Sequence, residues 1–534
     1  MGAKVETEVL SAELSPLVRR VALALIALAF FAVRWRWFGV PFERDEGEYA
    51  YGGQLLLDGV PPYVGIYNMK LPGIYAIYAL LLASGGSAVR AVHAGLAAAD
   101  VASFIALYVL ARRLFDAATG IACAAVLAVL FLLPSVQASS ANAEHFVLPF
   151  ALWGLATLAR VHDGRSGLGG RQLLLAGMLL GLAVLVKQHG ALLAAAGVMT
   201  VALQRAPGAD APGRWSGSAL VSLGIVLPYA LTVALYAAGG HLSDFWHWTV
   251  SYAMRYTQEA PISMGLERLA KRSGALFMDA PLILSAATLG LVLLVANARL
   301  RRHWRFIAPV VLGSAAAITP GFYFRPHYFV LLLPAAALLA VAGVRVLTGP
   351  RQRVFMGTAL ALVAGVPLLH SEWLFALSPT EVSRRLYGDN PFPESLVVGD
   401  YLAQHAAPDD RLLVLGSEPQ IYVYSGLRGA TGFVYTYALM EQHEFARSMQ
   451  EQLIRETEEV EPRWMVMVRH PQSWVRRAES DPLIFRWSER SLADFDLVAR
   501  MPLGSGRSRL VEGAELAGMG NPDALGLDIY RRRE

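Results

Sequence analysis

Eleven long apolar runs constrain what this 534-residue chain can fold into. They fall at about 18–40, 88–111, 117–134, 146–160, 172–187, 190–204, 217–238, 280–298, 306–320, 328–346 and 353–376. A helix that crosses a bilayer needs about 20 mostly apolar residues, and most of these runs approach that length. They are hydrophobic all round, as suits helices that face lipid or other helices. Composition points the same way. Hydrophobic residues make up 55% and charged residues 16%, against about 25% charged in soluble domains, and the mean hydropathy is +0.43. The expected class is a mainly α, polytopic membrane protein. A net charge of +4 implies no nucleic-acid partner; in such a chain, arginine bias records topology.

Arg112 and Arg113, Arg160 to Arg171, Arg205 and Arg214, Arg299 to Arg305, and Arg345 to Arg353 lie at alternate ends of these runs. With Lys4, Arg19 and Arg20 they form one basic side, cytoplasmic by the positive-inside rule. The other side receives the acidic loop 41–87, Ser135–His145, Lys187–His189, the loop 239–279 and Phe322–His327. The apolar stretch Leu71–Ser84 is too short to span and reads as an outer juxtamembrane or re-entrant helix. The count is then eleven spans, and an odd number puts the C-terminal part outside. The first run, with basic residues before it and no small-residue cleavage site after it, reads as a retained signal-anchor. The single cysteine, Cys123, sits in an apolar run and reads as buried filler.

Two domains are expected: residues 1–377 in the membrane and residues 378–534 as an extracytoplasmic α/β domain. In the second, Glu394–His405 reads as a helix, Arg411–Leu415 as a buried strand, Glu441–Val460 as a polar helix and Trp464–Val468 as a strand. The stretch Gly504–Glu534 has no clear pattern. The domain has no glycine-rich phosphate loop and no nucleophile elbow, so an accessory role is its expected reading.

Chemistry concentrates between Pro41 and Pro72, where Glu43, Arg44, Asp45, Glu46 and Glu48 fall within six positions, followed by four tyrosines and Lys70. Ionisable groups beside a membrane cost free energy unless solvated or paired. A lone acid there would be a solvated surface residue; this density exceeds what hydration needs. Asp45 is the candidate general base, since an aspartate is ordinarily ionised at neutral pH. Glu46 has three readings: it shares that work, pairs with Arg44, or helps Asp45 hold a divalent cation. Glu48 reads as structural. Lys70, Lys187, Arg255, Arg325 and His327 are isolated cations or histidines on the same expected side. Each alone is most simply a snorkelling interface residue. Together with a carboxylate base they suit an anionic group such as phosphate, whose charge they would stabilise as it leaves. The histidines show no zinc spacing.

At these residues the chain resembles a known group. The stretch RDEGEYAYGGQLLLDGVPPYVGIYNMKLPGIYAIY resembles the first extracytoplasmic loop of GT-C type, polyprenyl-phosphate-dependent glycosyltransferases: the protein O-mannosyltransferase, aminoarabinose transferase and Rgt-like lipopolysaccharide transferase families. SSANAEHFVLPFALWGLA, GLAVLVKQHGALL, DFWHWTVSYAMRY and RPHYFVLLLPAAALLA are similar to further patches of these families, in the same order. The resemblance implies a GT-C fold. It also implies inverting transfer of a sugar from a polyprenyl-phosphate donor to a glycolipid, glycan or protein acceptor, on the outer face of the plasma membrane. It assigns Asp45 the role of base. It places Lys70, Arg255 and Tyr328 at the donor phosphate, where Arg325 is a further candidate, and Glu144 and Lys187 at polar outer helix ends. Aminoarabinose transferases carry an acidic metal ligand just before the lysine, where this chain has Met69. Two other classes fit the composition: a transporter or flippase of lipid-linked sugars, and an oligosaccharide ligase or polymerase. A transporter would bury its charges near the bilayer midplane, whereas these cluster toward one face.

Overall fold

Helices form where the apolar runs predict them. The computed structural model describes residues 14–162, 169–204, 212–256, 261–504, 509–518 and 524–534; Lys4 and Arg205 lie outside these. The chain divides into two compact units. The first comprises Met1–Trp37, His93–Gly239 and Ala260–Leu377. The second comprises Phe38–Val92, Gly240–Glu259 and Ser378–Glu534, so segments from both sides of residue 378 build it.

In the first unit, Pro16 opens the first helix at a position where its missing N–H costs nothing, and the Ser15 side chain accepts from Val18 N at 3.2 Å. Among the described residues, Pro16–Trp35, Ala88–Leu114, Arg214–Ala238, Pro326–Thr348 and Gln352–Leu369 are long and apolar enough to cross a membrane. The protein is a multi-pass membrane protein. Ala117–Leu130, Gly170–Val186, Gly190–Ala202 and Trp304–Ala317 are apolar but shorter than 18 residues. The run 117–134 shows why. Its helix, capped by Asp116 on Thr119 N at 2.8 Å, stops at Leu130, and a 3-10 turn follows from Pro134. Cys123 is fully buried within it.

The stretch 239–279, read as a loop, is largely helical. Ile262–Asp279 is an 18-residue helix that meets Pro281–Ala296 at a bend of 112°. Pro281 excludes the residue before it from the helical region, and Ala280 accordingly sits at φ −141°, ψ 57°. Charges at Arg268, Lys271 and Arg272 masked the helical spacing of the apolar residues around them.

Two spans carry buried charges that satisfy one another. Arg34 Nη2 lies 2.5 Å from Asp100 Oδ2 and 3.0 Å from the Phe131 carbonyl, and its Nη1 donates to the Ala138 carbonyl. His145 Nδ1 lies 2.7 Å from Asp100 Oδ1. All three side chains are sealed from solvent.

The second unit is built on a six-stranded mixed sheet. Its strands are β1 (Arg411–Leu415), β2 (Arg428–Gly429), β3 (Trp464–Arg469), β4 (Phe495–Pro502), β5 (Val511–Glu512) and β6 (Gly526–Arg532), in the order β2-β1-β3-β6-β4-β5. β1 pairs parallel with β2 and β3; the remaining pairings are antiparallel. The expected helices appear at Phe392–His405 and Ala446–Val460. β6 is the central strand the sequence did not disclose. Asp528 sits within it, buried and 2.5 Å from Arg469 Nε, which breaks the apolar pattern that marks buried strands.

Replacing Arg34 with Met should leave the buried Asp100 carboxylate without its guanidinium, facing His145 alone among the partners described above. We expect a loss of about 3–5 kcal/mol, read by chemical unfolding in detergent, with partial recovery when Asp100→Leu is added.

Candidate functional site

The acidic stretch is a helix, Arg44–Leu57, and not a loop. Glu43 is its N-cap. The Glu43 carboxylate accepts from Glu46 N at 3.3 Å, and the Glu46 carboxylate accepts from Glu43 N at 3.1 Å. This reciprocal box starts the helix, and acids in its first turn favour the positive end of the helix dipole. Glycines then allow the helix to lie tight against its neighbours. A Cβ at Gly53 would stand 2.8 Å from Ala79 N on the helix Pro72–Leu82, and one at Gly47 2.8 Å from Gln420 Cα. Ten of the helix's 14 residues are buried, the charged Arg44, Glu46 and Glu48 among them, so each of these needs a partner.

Helical spacing decides which acids act together. Neighbours in sequence point about 100° apart, while residues three apart share a face. Asp45 and Glu46 therefore diverge, and Asp45 and Glu48 converge. Lys70 Nζ lies 2.6 Å from Asp45 Oδ1 and 2.7 Å from Glu48 Oε2. Tyr435 OH donates to Asp45 Oδ1 at 3.0 Å, and Tyr75 OH donates to Glu48 Oε1 at 2.5 Å. Lys70 also lies over the Tyr49 ring, 4.5 Å from its centroid, and the Tyr63 hydroxyl donates to the Lys70 carbonyl at 2.6 Å. The Glu48 side chain is sealed, whereas that of Asp45 is 24% exposed. Of the two carboxylates on Lys70, only Asp45 can meet a substrate.

Two pairings expected for Glu46 are replaced. Arg44 turns to Glu418 Oε1 at 2.6 Å, to the Ser417 carbonyl at 2.8 Å and to Asn390 Oδ1 at 2.7 Å. Glu46 caps the helix end, so it and Asp45 do not form a joint cation cradle. Among the described residues no group of three His, Cys, Asp or Glu side chains is placed to hold a metal ion.

Arg255 pairs with Glu444 at 2.9 Å, and both are about half exposed. Tyr435, Glu418 and Glu444 were missed by sequence reasoning; they come from the distant C-terminal region and carry no local signal.

The remaining candidates lie in the first unit and form a second polar cluster. Glu144 is fully buried in the first turn of Ala143–His162, and Lys187 Nζ reaches its Oε1 at 2.6 Å. Lys187 ends the helix Gly170–Val186 in extended conformation, which frees its side chain to lie over the Tyr328 ring at 4.7 Å. His327 Nε2 is 4.0 Å from Glu144 Oε1, and its Nδ1 is 2.9 Å from Gln137 Oε1. Arg325 joins a different group. Its guanidinium lies 5.6 Å from the Tyr323 ring, and Arg268 lies 5.5 Å from the same ring. Arg268 Nη1 is buried with no hydrogen-bond partner.

The acids and Lys70 shift one another in opposite ways. Burial raises the Glu48 carboxyl above its ordinary 4.5; Lys70 only partly offsets this, and Asp45 adds to it. Burial disfavours the Lys70 ammonium, but Asp45 and Glu48 outweigh it and raise Lys70 above its ordinary 10.5. Protonated Glu48 thus contributes stability that is complete below pH 4.5 and lost as pH rises through its folded value. The Lys70 pairing contributes below pH 10.5 and is lost above its folded value, so it offsets the Glu48 loss across the neutral range. In Lys70→Met that offset is gone. Its melting temperature should lie below wild type at pH 4 and fall further behind between pH 5 and 8, by an amount equivalent to about 3 kcal/mol.

Comparison with known proteins places this geometry. Residues 70–232 match the family model described as dolichyl-phosphate-mannose-protein mannosyltransferase. No curated protein matches the sequence. Among solved structures, ArnT from Cupriavidus metallidurans in the apo state has a TM-score of 0.58 at 14% identity, covering 95% of this chain and 97% of that one. The same protein bound to undecaprenyl phosphate gives 0.57 at 14% identity, covering 86% and 94%. The oligosaccharyltransferase AglB from Archaeoglobus fulgidus, in complex with an inhibitory peptide and a dolichol-phosphate, gives 0.54 at 12% identity, covering 93% and 74%. With that family model over residues 70–232 and this likeness over nearly its whole length, the chain has the GT-C fold of polyprenyl-phosphate-dependent glycosyltransferases.

Proposed function

We propose that the protein is a membrane glycosyltransferase. It moves a sugar from a polyprenyl-phosphate donor to a hydroxyl or amine acceptor, with inversion, on the outer face of the plasma membrane. The observation that carries this reading is the exposed Asp45 carboxylate held at 2.6 Å by a lysine that buried Glu48 also grips. A base must be fixed in direction until the acceptor arrives, and pairing with Lys70 supplies this. The structural neighbours solved with undecaprenyl phosphate and dolichol-phosphate support a lipid-phosphate donor here.

In the proposed step, Asp45 takes the acceptor proton as the acceptor oxygen bonds to the anomeric carbon. The bond from that carbon to the phosphate oxygen breaks, and the electron pair leaves with the polyprenyl phosphate. A phosphate is a stable anion, so no general acid is required. A donor phosphate reaching Lys70 would share its ammonium with the two carboxylates, and charge developing on the leaving oxygen would draw that ammonium toward it. Glu48 then acts as the buried anchor that keeps Lys70 in place. Arg255, Arg325 and Tyr328 are further proposed donor contacts. Arg268, beside Arg325 on the Tyr323 ring and with an unmatched N–H, joins them in that proposal.

The test is transfer in proteoliposomes supplied with a panel of labelled polyprenyl-phosphate sugars. Wild type should consume one donor. Asp45→Asn should lose about 10²–10⁴-fold in rate while keeping its melting temperature and membrane insertion. Undiminished turnover in that variant would remove Asp45 from the chemistry. Label crossing the bilayer without donor consumption would establish transport instead.

A further inference from the structure

A pocket of about 530 Å³ opens in the second unit between Tyr63, whose hydroxyl holds the Lys70 carbonyl, the segment His241–Trp248 and the helix Ala446–Val460. Its size is that of a small-ligand site, about 300–1,000 Å³. Tyr67 and Trp248 stack in parallel on its wall, with centroids 5.4 Å apart and planes 5° from parallel. Phe433 packs edge-on against both and fixes the pair, at 4.8 Å and 6.0 Å. The Tyr67 hydroxyl donates to Glu456 at 2.9 Å, and Gln452 Nε2 donates to the same carboxylate at 2.7 Å. One half-buried hydrogen-bond node therefore orients both an aromatic wall and a polar edge. Trp248 sits in a six-residue π-helical segment, His247–Tyr252, a local widening most often found at functional sites.

The lining indicates what fits. Flat aromatic surface suits a ligand with a face of C–H groups. Asp244, Ser448, Glu451 and Gln452 offer acceptors and donors around it, as a rim of hydroxyls requires. A pyranose ring combines these two properties. Asp244 and Glu451 share the lining with one arginine, Arg455, while Glu451 also pairs with Arg447 at 3.0 Å, and burial lowers the His247 imidazole below its ordinary value, toward the neutral form at pH 7. The lining thus disfavours a phosphate. Its polar groups are side chains on helices and turns. An extended peptide would need a row of backbone partners along a strand edge, and no strand lines the pocket.

We propose that this pocket binds a neutral saccharide unit of the acceptor, gripped between the Tyr67–Trp248 wall and the Asp244, Glu451 and Gln452 rim. That the bound saccharide belongs to the acceptor rests on the transfer reading above; the saccharide site itself does not.

The test uses the full-length protein in nanodiscs and saturation-transfer NMR. The probes are maltotriose, cellotriose, mannotriose and chitotriose, with inorganic phosphate and a serine-rich hexapeptide as competitors. At least one trisaccharide should give a saturable signal that neither competitor displaces. Trp248→Ala and Asp244→Asn should each weaken it by about tenfold. Gln452→Ala, which removes a rim amide, should weaken it as well. The proposal is overturned if no trisaccharide binds, if binding is unchanged in both Asp244→Asn and Gln452→Ala, or if phosphate or the peptide displaces the sugar. Saccharide binding without donor consumption upholds the site and defeats the transfer reading. Donor consumption without saccharide binding does the reverse.

Discussion

One ammonium, Lys70 Nζ, holds two carboxylates three residues apart on a single helix. Without it, the sealed Glu48 would lose its counter-charge. Glu43, Asp45, Glu46 and Glu48 all lie within its first turns, and Glu46 and Glu48 have no solvent exposure. Each acid is matched separately. Glu46 and Glu43 cap one another, Glu48 takes Lys70 and Tyr75, and Asp45 takes Lys70 and Tyr435. Such pairings offset desolvation without exceeding it by much, which is why Glu48 stays raised despite its partner. The arrangement is better understood as a means of fixing direction than as a source of stability.

The first unit solves the same problem with different residues. Arg34, Asp100 and His145 satisfy one another inside apolar helices, and Lys187, Glu144 and His327 do so at helix ends. The two clusters differ in a way that bears on function. The Arg34 group is closed to solvent, whereas Lys187 and His327 keep 14% and 10% exposure. Asp45 is likewise partly exposed, at 24%, beside its counter-charge Lys70. Such exposure marks groups that can exchange a protein partner for a ligand.

Aromatic residues do comparable work in the second unit. Tyr49, Tyr75 and Tyr78 pack edge to face beneath the acidic helix, and Tyr67, Trp248 and Phe433 form the pocket wall. In each case a large apolar body is held by a polar tip, Tyr75 on Glu48 and Tyr67 on Glu456. The same residue type thus packs the unit and orients its charged groups.

Several features could be read from sequence because they depend on local physics. The apolar helices follow from runs of apolar residues, β1 and β3 from short buried runs, and the chemical weight of the Pro41–Pro72 stretch from charges that a membrane neighbourhood penalises. Asp45 and Lys70 were legible as candidates for the same reason. What sequence proximity suggested wrongly was the partnership. Asp45 and Glu46 are adjacent in the chain but diverge on a helix, and Arg44 turns to Glu418, 374 positions away. Tyr435 reaches Asp45 across 390 residues, and the Tyr67–Trp248 wall joins segments with no common motif. The sequence by itself determined which segments must be buried and which groups would then require partners. Only the tertiary structure decided who the partners are, because a buried charge is satisfied by whatever group the packing brings within hydrogen-bond distance, at any separation along the chain.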